Sequence, residues 1–313
     1  MKAKEEPRSF PLEDKPLTRE NILKCLSIAP RVPPSGWGSM VARLRSDVVV
    51  KYGQERVHIN EANTMRLVRQ RTSTVLLPKV LDAWTATDCG QNRRERGKED
   101  VPVTYIVMQY VHGTVLKDKW PTLIGTERDI LVQRVADMLK ELRTVQVDQP
   151  GPLGQPIRCE GRYFTEYDAG PFETKADLTH WLNNRLEVCK LFRQAPQNRP
   201  ELAIDELVVC HTNLNERTIV VAADGSPWII DWTCAGGYPP CFERGSLRPI
   251  HGDAGEFARA LKEKIAFEED EPLLARLDEL TFAFYTAALC RRYDMDFGRH
   301  DSEGSETDSL LGN

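Results

Sequence analysis

The chain has 313 residues, of which 41% are hydrophobic and 28% charged. That is enough apolar material for one large domain or two lobes around a real core, and it argues against a disordered, collagen-like or coiled-coil chain. Forty-two Lys and Arg against 47 Asp and Glu leave a net charge of −5, so there is no broad basic field to hold a nucleic-acid backbone.

The N-terminal extension, residues 1–34, is charged and proline-bearing without an apolar h-region, which predicts no secretory signal and a mobile head. Ser39 to Lys51 (SMVARLRSDVVVK) reads as two strands about a polar Arg45-Ser46-Asp47 turn. Met65, Leu67 and Val68 give Glu61 to Gln70 a helical pattern, and Leu76 to Trp84 and Thr104 to Val111 read as further strands. Between them Cys89 to Asp100 (CGQNRRERGKED) has the charge and turn formers of a solvated loop.

Thr126 with Asp129 suggests a capping box for a helix carrying Leu131, Val135, Met138 and Leu142. Glycines and prolines mark an irregular connection from Gln149 to Gly170, after which Leu178, Leu182 and Leu186 define a second amphipathic helix. Glu206 to Trp232 is a β-rich interruption whose runs TIVV and WII meet across Asp224-Gly225, a hairpin signal. Leu273 to Cys290 reads as one largely buried helix, and its apolar stretch Thr281 to Cys290 is about half of the roughly 20 residues a membrane span needs. Residues 299–313 are acidic and serine-rich, the composition of a disordered tail. The eight cysteines form no CxxC pair and no metal-site spacing, so buried free thiols are expected, and a nucleophilic pairing of Cys210 with a histidine has nothing specific behind it. A cytoplasmic protein without membrane or nucleic-acid partners is the expectation.

Five segments in register, VVVKYG ending at Gly53, EANTMRLV from Glu61, YIVMQYVHGTVL from Tyr105, HTNLNERTIVV from His211 and IIDWTCAGGYP from Ile229, resemble the aminoglycoside phosphotransferase and choline kinase branch of the protein-kinase-like fold, especially its fungal members. The resemblance spans roughly residues 35 to 295. It implies an α+β, bilobal architecture, with a small antiparallel sheet lobe and hinge over residues 35–111 and a larger, mostly helical lobe over 112–298 that carries a catalytic-loop hairpin. It also implies a site for ATP and magnesium. A lysine ending a buried strand can hold phosphate oxygens if a carboxylate steadies it, and Glu61, ten residues on, is the obvious partner for Lys51. The resemblance makes Met108 the gate of the nucleotide pocket and Gln109 and Tyr110 its hinge. It makes Asp231 the ligand of the magnesium ion, and His211 part of the catalytic loop.

The same comparison exposes two departures. The family's His-Gly-Asp-Leu becomes His211-Thr212-Asn213-Leu214, and the amide of Asn213 can hydrogen-bond a substrate hydroxyl but is no base near neutral pH. Five residues later the family's second metal ligand, an asparagine, is Thr218, a weaker magnesium ligand. His251-Gly252-Asp253 spells the missing triplet but follows Asp231 and reads as the start of a helix. Ser35-Gly36-Trp37-Gly38-Ser39 falls short of a full GxGxxG. Three functions compete: an ATP- and magnesium-dependent phosphotransferase acting on a small-molecule hydroxyl or amine; a repurposed enzyme of specialised metabolism using Asn213, His211, Asp231 and Cys234 or Tyr238; and a noncatalytic pseudokinase whose protein partner no residue identifies. All three predict a small-molecule ligand, with specificity near Tyr163, Phe164, Trp181 and the Gly236 to Pro240 turn.

Overall fold

The computed structural model describes residues 9–32, 39–87, 101–164, 169–247 and 254–286. The polar reversal at Arg45-Ser46-Asp47 joins β1 (Ser39–Arg43) to β2 (Val48–Gly53), with the Leu44 N–H donating to the Val48 carbonyl at 2.9 Å. With β3 (Val80–Thr87) and β4 (Pro102–Gln109) they form an antiparallel sheet in the order β1-β2-β4-β3, and the register sets Lys51 opposite Ile106 and Val49 opposite Met108. The expected strand from Leu76 begins later because the Leu76 carbonyl accepts instead from the Ile229 N–H of the other lobe, at 2.8 Å.

β2 is apolar at nearly every position because both of its faces are covered. Successive side chains alternate across a strand. Val49, with Ile106 and Met108 of β4, joins the core shared with α2 (Ile59–Arg71), while Val48, Val50 and Tyr52 join Tyr105 and Val107 on the outer face. The N-terminal segment lies over that outer face: Leu12, Ile22, Cys25 and Leu26, some of them on α1 (Arg19–Cys25), are buried against it. The expectation of a mobile head is therefore corrected for residues 9–32, whose apolar side chains complete the lobe.

In the helical lobe, β5 (Thr114–Val115) leads into α3 (Leu116–Lys119) and α4 (Gly125–Leu142). The capping carboxylate at the start of α4 is Glu127, which accepts from the Ile124 N–H at 2.9 Å, in place of the Thr126–Asp129 pair expected. α5 (Lys175–Leu191) buries Leu178, Leu182 and Leu186 as the spacing predicts. After α5 come β6 (Val208–Cys210), β7 (Ile219–Val221), β8 (Pro227–Ile229) and β9 (Gly236–Tyr238), giving a β5-β7-β8 sheet and a β6-β9 pair. Gly225, at φ 79°, makes the β7–β8 turn. Gly236-Gly237 admits the backbone of 149–151 so closely that a Cβ on Gly237 would lie 2.1 Å from the Gln149 carbonyl oxygen, and Gly151 and Gly237 exchange two 2.8 Å hydrogen bonds there.

α6 (Cys241–Ser246), α7 (Ala254–Lys264), α8 (Glu271–Glu279) and α9 (Thr281–Tyr285) close the lobe. The single helix expected from Leu273 is thus two, meeting at buried Leu280, which lets Leu274, Leu277, Ala283 and Phe284 share one apolar cluster with α5. The segments 88–100, 33–38, 251–253 and 299–313, and with them the charged loop, most of the glycine-rich segment, the second His-Gly-Asp and the acidic tail, lie outside the described residues. No helix among the described residues is long and apolar enough to cross a membrane.

Because Leu12 is fully buried under the sheet, Leu12→Ala is expected to cost about 2–5 kcal/mol of stability. Denaturant unfolding checks this; a change within error would mean that the N-terminal segment is dispensable to the lobe.

Candidate active site in the cleft between the lobes

The alternation that sends Val49 inward also sends Lys51 inward, and its ammonium, 5% exposed as a residue, is held by three groups. Nζ donates to Glu61 Oε1 at 2.9 Å, to Asp231 Oδ1 at 2.8 Å and to Thr233 Oγ1 at 2.6 Å. Burial by itself would lower the lysine pKa, but the carboxylates of Glu61 and Asp231 outweigh it and hold the group protonated. Glu61 also accepts from the Trp232 N–H at 3.2 Å, and burial pushes its carboxyl above the ordinary value despite Lys51.

Glu61 is positioned by its neighbour. Asn60, 2% exposed, donates through Nδ2 to the carbonyls of Pro152 and Gln155 at 3.1 and 2.7 Å, tying the first turn of α2 to the irregular connection of the helical lobe. Arg56 meets Glu160 at 3.2 Å, a second link between the lobes.

Asp231 adopts φ 61°, a left-handed backbone that turns the chain after β8. Its side chain keeps 44% exposure, and although partial burial raises its pKa, Lys51 and Thr233 bring it down to about 2, so it is ionised at neutral pH. Both of these hydrogen bonds fall on Oδ1, and Oδ2 accepts none from a described residue. An ionised oxygen in this position suits a hard divalent cation.

The segment from His211 to Thr218 is braced from behind. Thr212, standing where the family pattern has glycine, has φ 57°, a conformation that a β-branched residue adopts only under constraint. Its hydroxyl donates to the Cys234 carbonyl at 2.9 Å, and its N–H, with that of His211, donates to buried Glu243 Oε2. His211 is fully buried, its Nε2 lies 3.2 Å from the Ile230 carbonyl, and burial depresses its pKa to about 4, leaving a neutral ring with Nε2 as donor. It is not among the residues lining the cleft.

Within the loop Asn215 donates to the Asn213 carbonyl at 2.9 Å and accepts from the Arg217 N–H at 2.9 Å. The Thr218 hydroxyl shares its proton between the carbonyls of Asn213 and Asn215, at 3.2 and 3.1 Å, and accepts from the Asn215 N–H at 3.0 Å, which leaves one lone pair for a cation. Among the described residues no three His, Cys, Asp or Glu side chains cluster as a metal site. Any divalent ion here would depend on Asp231, with Thr218 as a weak second donor and phosphate oxygens completing the shell.

Lys51, Glu61, Met108, Gln109, Tyr110, Asn213, Thr218 and Asp231 all line one cleft of about 940 Å³. Val41, Val49 and Met108 wall it on the sheet side, Val115, Val220 and Ile230 on the other, an apolar slot of the kind a planar ring occupies. The N–H groups of Gln109 and Tyr110 already donate, to Lys79 and Asp47 carbonyls at 2.9 and 2.7 Å. Tyr110 is fixed by the Arg43 guanidinium, 3.8 Å from its ring centroid, and the hinge residue after it, Val111, lines the cleft.

The specificity residues expected from sequence are not in the cleft. Tyr163, Phe164, Tyr238 and Trp181 belong to the aromatic core with Phe242 and Phe284, and Gly236–Tyr238 is the buried strand β9. Gly161 and Arg162, just before the aromatic pair, line the cleft in their place, as do Thr212 and Arg217. Burial pushes the Cys234 thiol up to about 12 and Cys210 well above its ordinary value, so neither is a thiolate nucleophile. Glu243 and Thr233 carried no sequence signal beyond Thr233 lying two residues after Asp231.

Burial raises Glu243 to about 7 from an ordinary 4.5, although the two backbone N–H groups pull the other way. Between these values the folded chain binds a proton that the unfolded chain has lost, so stability falls as pH rises. His211, depressed from 6.5 to about 4, contributes the opposite slope. Glu243→Gln keeps an oxygen for the loop and removes the first effect. The variant is expected to gain on the native protein from about pH 4.5 to about pH 7 and to run parallel above it. Urea unfolding across that range checks the sign, and parallel curves throughout would remove Glu243 from the account.

Comparison with solved structures places this geometry. The gentamicin complex of APH(2'')-IIa superposes with a TM-score of 0.52 at 15% identity, covering 88% of this chain and 89% of that one. ADP-bound aminoglycoside phosphotransferase APH(2'')-Ib gives 0.52 at 14%, covering 90% and 91%. A ternary complex of APH(4)-Ia with AMP-PNP and hygromycin B gives 0.52 at 17%, covering 88% and 92%. These likenesses show a protein-kinase-like fold. No curated protein sequence matches the chain. Residues 34–280, which hold every residue of the cleft just described except Val32, match the phosphotransferase enzyme family, APH, and the chain belongs to that family.

Proposed function

We propose that the protein binds ATP with magnesium and a small molecule in this cleft, and that it does not transfer phosphate efficiently to a neutral hydroxyl by the family's usual route. The observation that carries this reading is the inventory of bases. Among the described residues only Glu61 and Asp231 bring carboxylates to the cleft, and both are bonded to Lys51. Asn213 lines the cleft as an amide where the resemblance has a carboxylate, and neutral His211 lies buried behind the loop.

The nucleotide side is better supplied. Lys51, steadied by Glu61, is the cation for phosphate oxygens, and ionised Asp231 is the anchor for the metal. Magnesium, when bound, neutralises charge on the transferred phosphoryl group. Lys51, Glu61 and Asn213 then orient, while the apolar walls keep water from the ring. Positioning and charge stabilisation alone leave some catalysis, because phosphoryl transfer passes through a loose transition state. Loss of general-base assistance costs about 10²- to 10⁴-fold. A repurposed enzyme of specialised metabolism fits this reading. A noncatalytic pseudokinase is the second, favoured by the single lone pair that Thr218 keeps for a cation.

ATP is expected to raise the melting temperature of the native protein more with magnesium than without it, and Asp231→Asn to remove the magnesium increment. No shift with ATP under either condition would refute the nucleotide site. ADP release with hydroxyl acceptors, slow in the native protein, is expected to rise by about 10²-fold or more in Asn213→Asp. Equal, rapid release by both proteins would refute the assignment of the amide as the limiting group.

A further inference from the structure

The same inventory that leaves the cleft without a base fills its remaining charged positions with guanidinium groups. Five charged residues line it among those described: Lys51, paired with both Glu61 and Asp231, and Arg162 and Arg217. Arg217 is exposed, follows Asn213 in the same loop and forms no salt bridge with a described residue. Its neighbour Glu216 is buried and does not line the cleft. Arg162 follows Gly161, which also lines the cleft. Its Nη1 donates to the Gly245 carbonyl and its Nη2 stands 3.7 Å from Asp278, a loose pairing that leaves the side chain 26% exposed.

We propose that the acceptor is a small molecule whose attacking oxygen is already anionic at neutral pH, a carboxylate or a phosphate ester, bound by Arg217, Arg162 and the amide of Asn213. This rests on the nucleotide reading of the preceding subsection and supplies the reason for its missing base. A hydroxyl must lose a proton to become a phosphate ester, and a carboxylate or phosphate oxygen has none to lose. An aspartate at position 213 would repel such an acceptor, whereas the asparagine NH₂ donates to it. The acceptor must also approach a γ-phosphate of like charge, and two guanidinium groups offset that repulsion. A polycationic aminoglycoside meets the opposite conditions in this cleft: two arginines, and among the described residues no carboxylate that is not paired with Lys51.

The step balances without a base. The anionic oxygen attacks the γ-phosphorus of ATP and an O–P bond forms. The bond from the γ-phosphorus to the β,γ-bridging oxygen breaks, and its electron pair leaves with ADP. No proton is transferred. A carboxylate gives an acyl phosphate and a phosphate ester gives a diphosphate.

The test uses the full chain. ATP with magnesium is titrated first. Then, with AMP-PNP bound, citrate, benzoate, glucose 6-phosphate and gentamicin are titrated in turn, with affinity read by calorimetry. At least one of the three anions is expected to bind and gentamicin is not. Arg217→Gln and Asn213→Asp are each expected to weaken the anion by about tenfold or more, with the ATP response retained as proof of folding. Turnover with ATP in the presence of hydroxylamine separates the two sources. Hydroxamate identifies an acyl phosphate, and a P–O–P coupled pair in the phosphorus-31 spectrum of the glucose 6-phosphate product identifies a phosphate acceptor, whereas a second monoester there means hydroxyl transfer and overturns the proposal. Preference for gentamicin, or anion binding indifferent to both substitutions, overturns the proposal. An ATP response with no response to any anion refutes the acceptor class alone. No ATP response refutes the nucleotide site and the transfer step with it.

Discussion

A buried ammonium on an apolar wall is the constraint around which this protein is arranged. Without partners, Lys51 in that position would cost several kcal/mol in lost hydration. It has three, contributed by two segments far apart in sequence: Glu61 by α2, and Asp231 and Thr233 by the turn after β8. The partners are anchored in turn, Glu61 by the Trp232 N–H and α2 by Asn60, whose amide reaches the carbonyls of Pro152 and Gln155. The charge pairing that suits a phosphate site is therefore also a joint between the lobes. Moving either lobe would expose an unpaired charge, and the cleft between them inherits its shape from that requirement.

Below this joint the catalytic-loop segment is built for rigidity. Thr212 holds a left-handed backbone conformation without being glycine, which its hydroxyl and N–H make tolerable by bonding to the Cys234 carbonyl and to Glu243. Asn215 and Thr218 turn their polar atoms into the loop itself. Of the loop residues that line the cleft, Asn213 and Arg217 are polar side chains that make no hydrogen bond to a described residue. On the proposed reading this rigid segment presents an amide to the ligand. An amide differs from a carboxylate in accepting no proton and in donating hydrogen bonds, which is the ground of the anionic acceptor proposed above.

The parts of the site that were legible in the sequence are those where one residue type has one inexpensive explanation. A lysine closing VVVK and a glutamate ten residues on admitted a paired reading, and Asp231 after an apolar run stood in the family's register. The aromatic residues Tyr163, Phe164 and Trp181 did not yield to the same treatment, because a large ring reads equally well as a ligand contact or as core. Packing chose core, since α5, α8 and α9 close over them. Gly236-Gly237 looked like a turn, and became a strand because only hydrogen atoms fit beside the backbone of 149–151.

By itself the sequence determined the two-lobed α+β architecture, the hairpin turns, the amphipathic helices α2, α4 and α5, and the absence of a carboxylate at position 213, since each is a matter of local pattern or of residue identity. The tertiary structure decided three things: that the N-terminal segment covers the outer face of β2, that Glu243 braces the loop from 30 or so residues away, and which charges face the cleft. Those depend on which side of an element a residue falls once distant segments pack together, and periodicity along a chain carries no record of the partner across the gap.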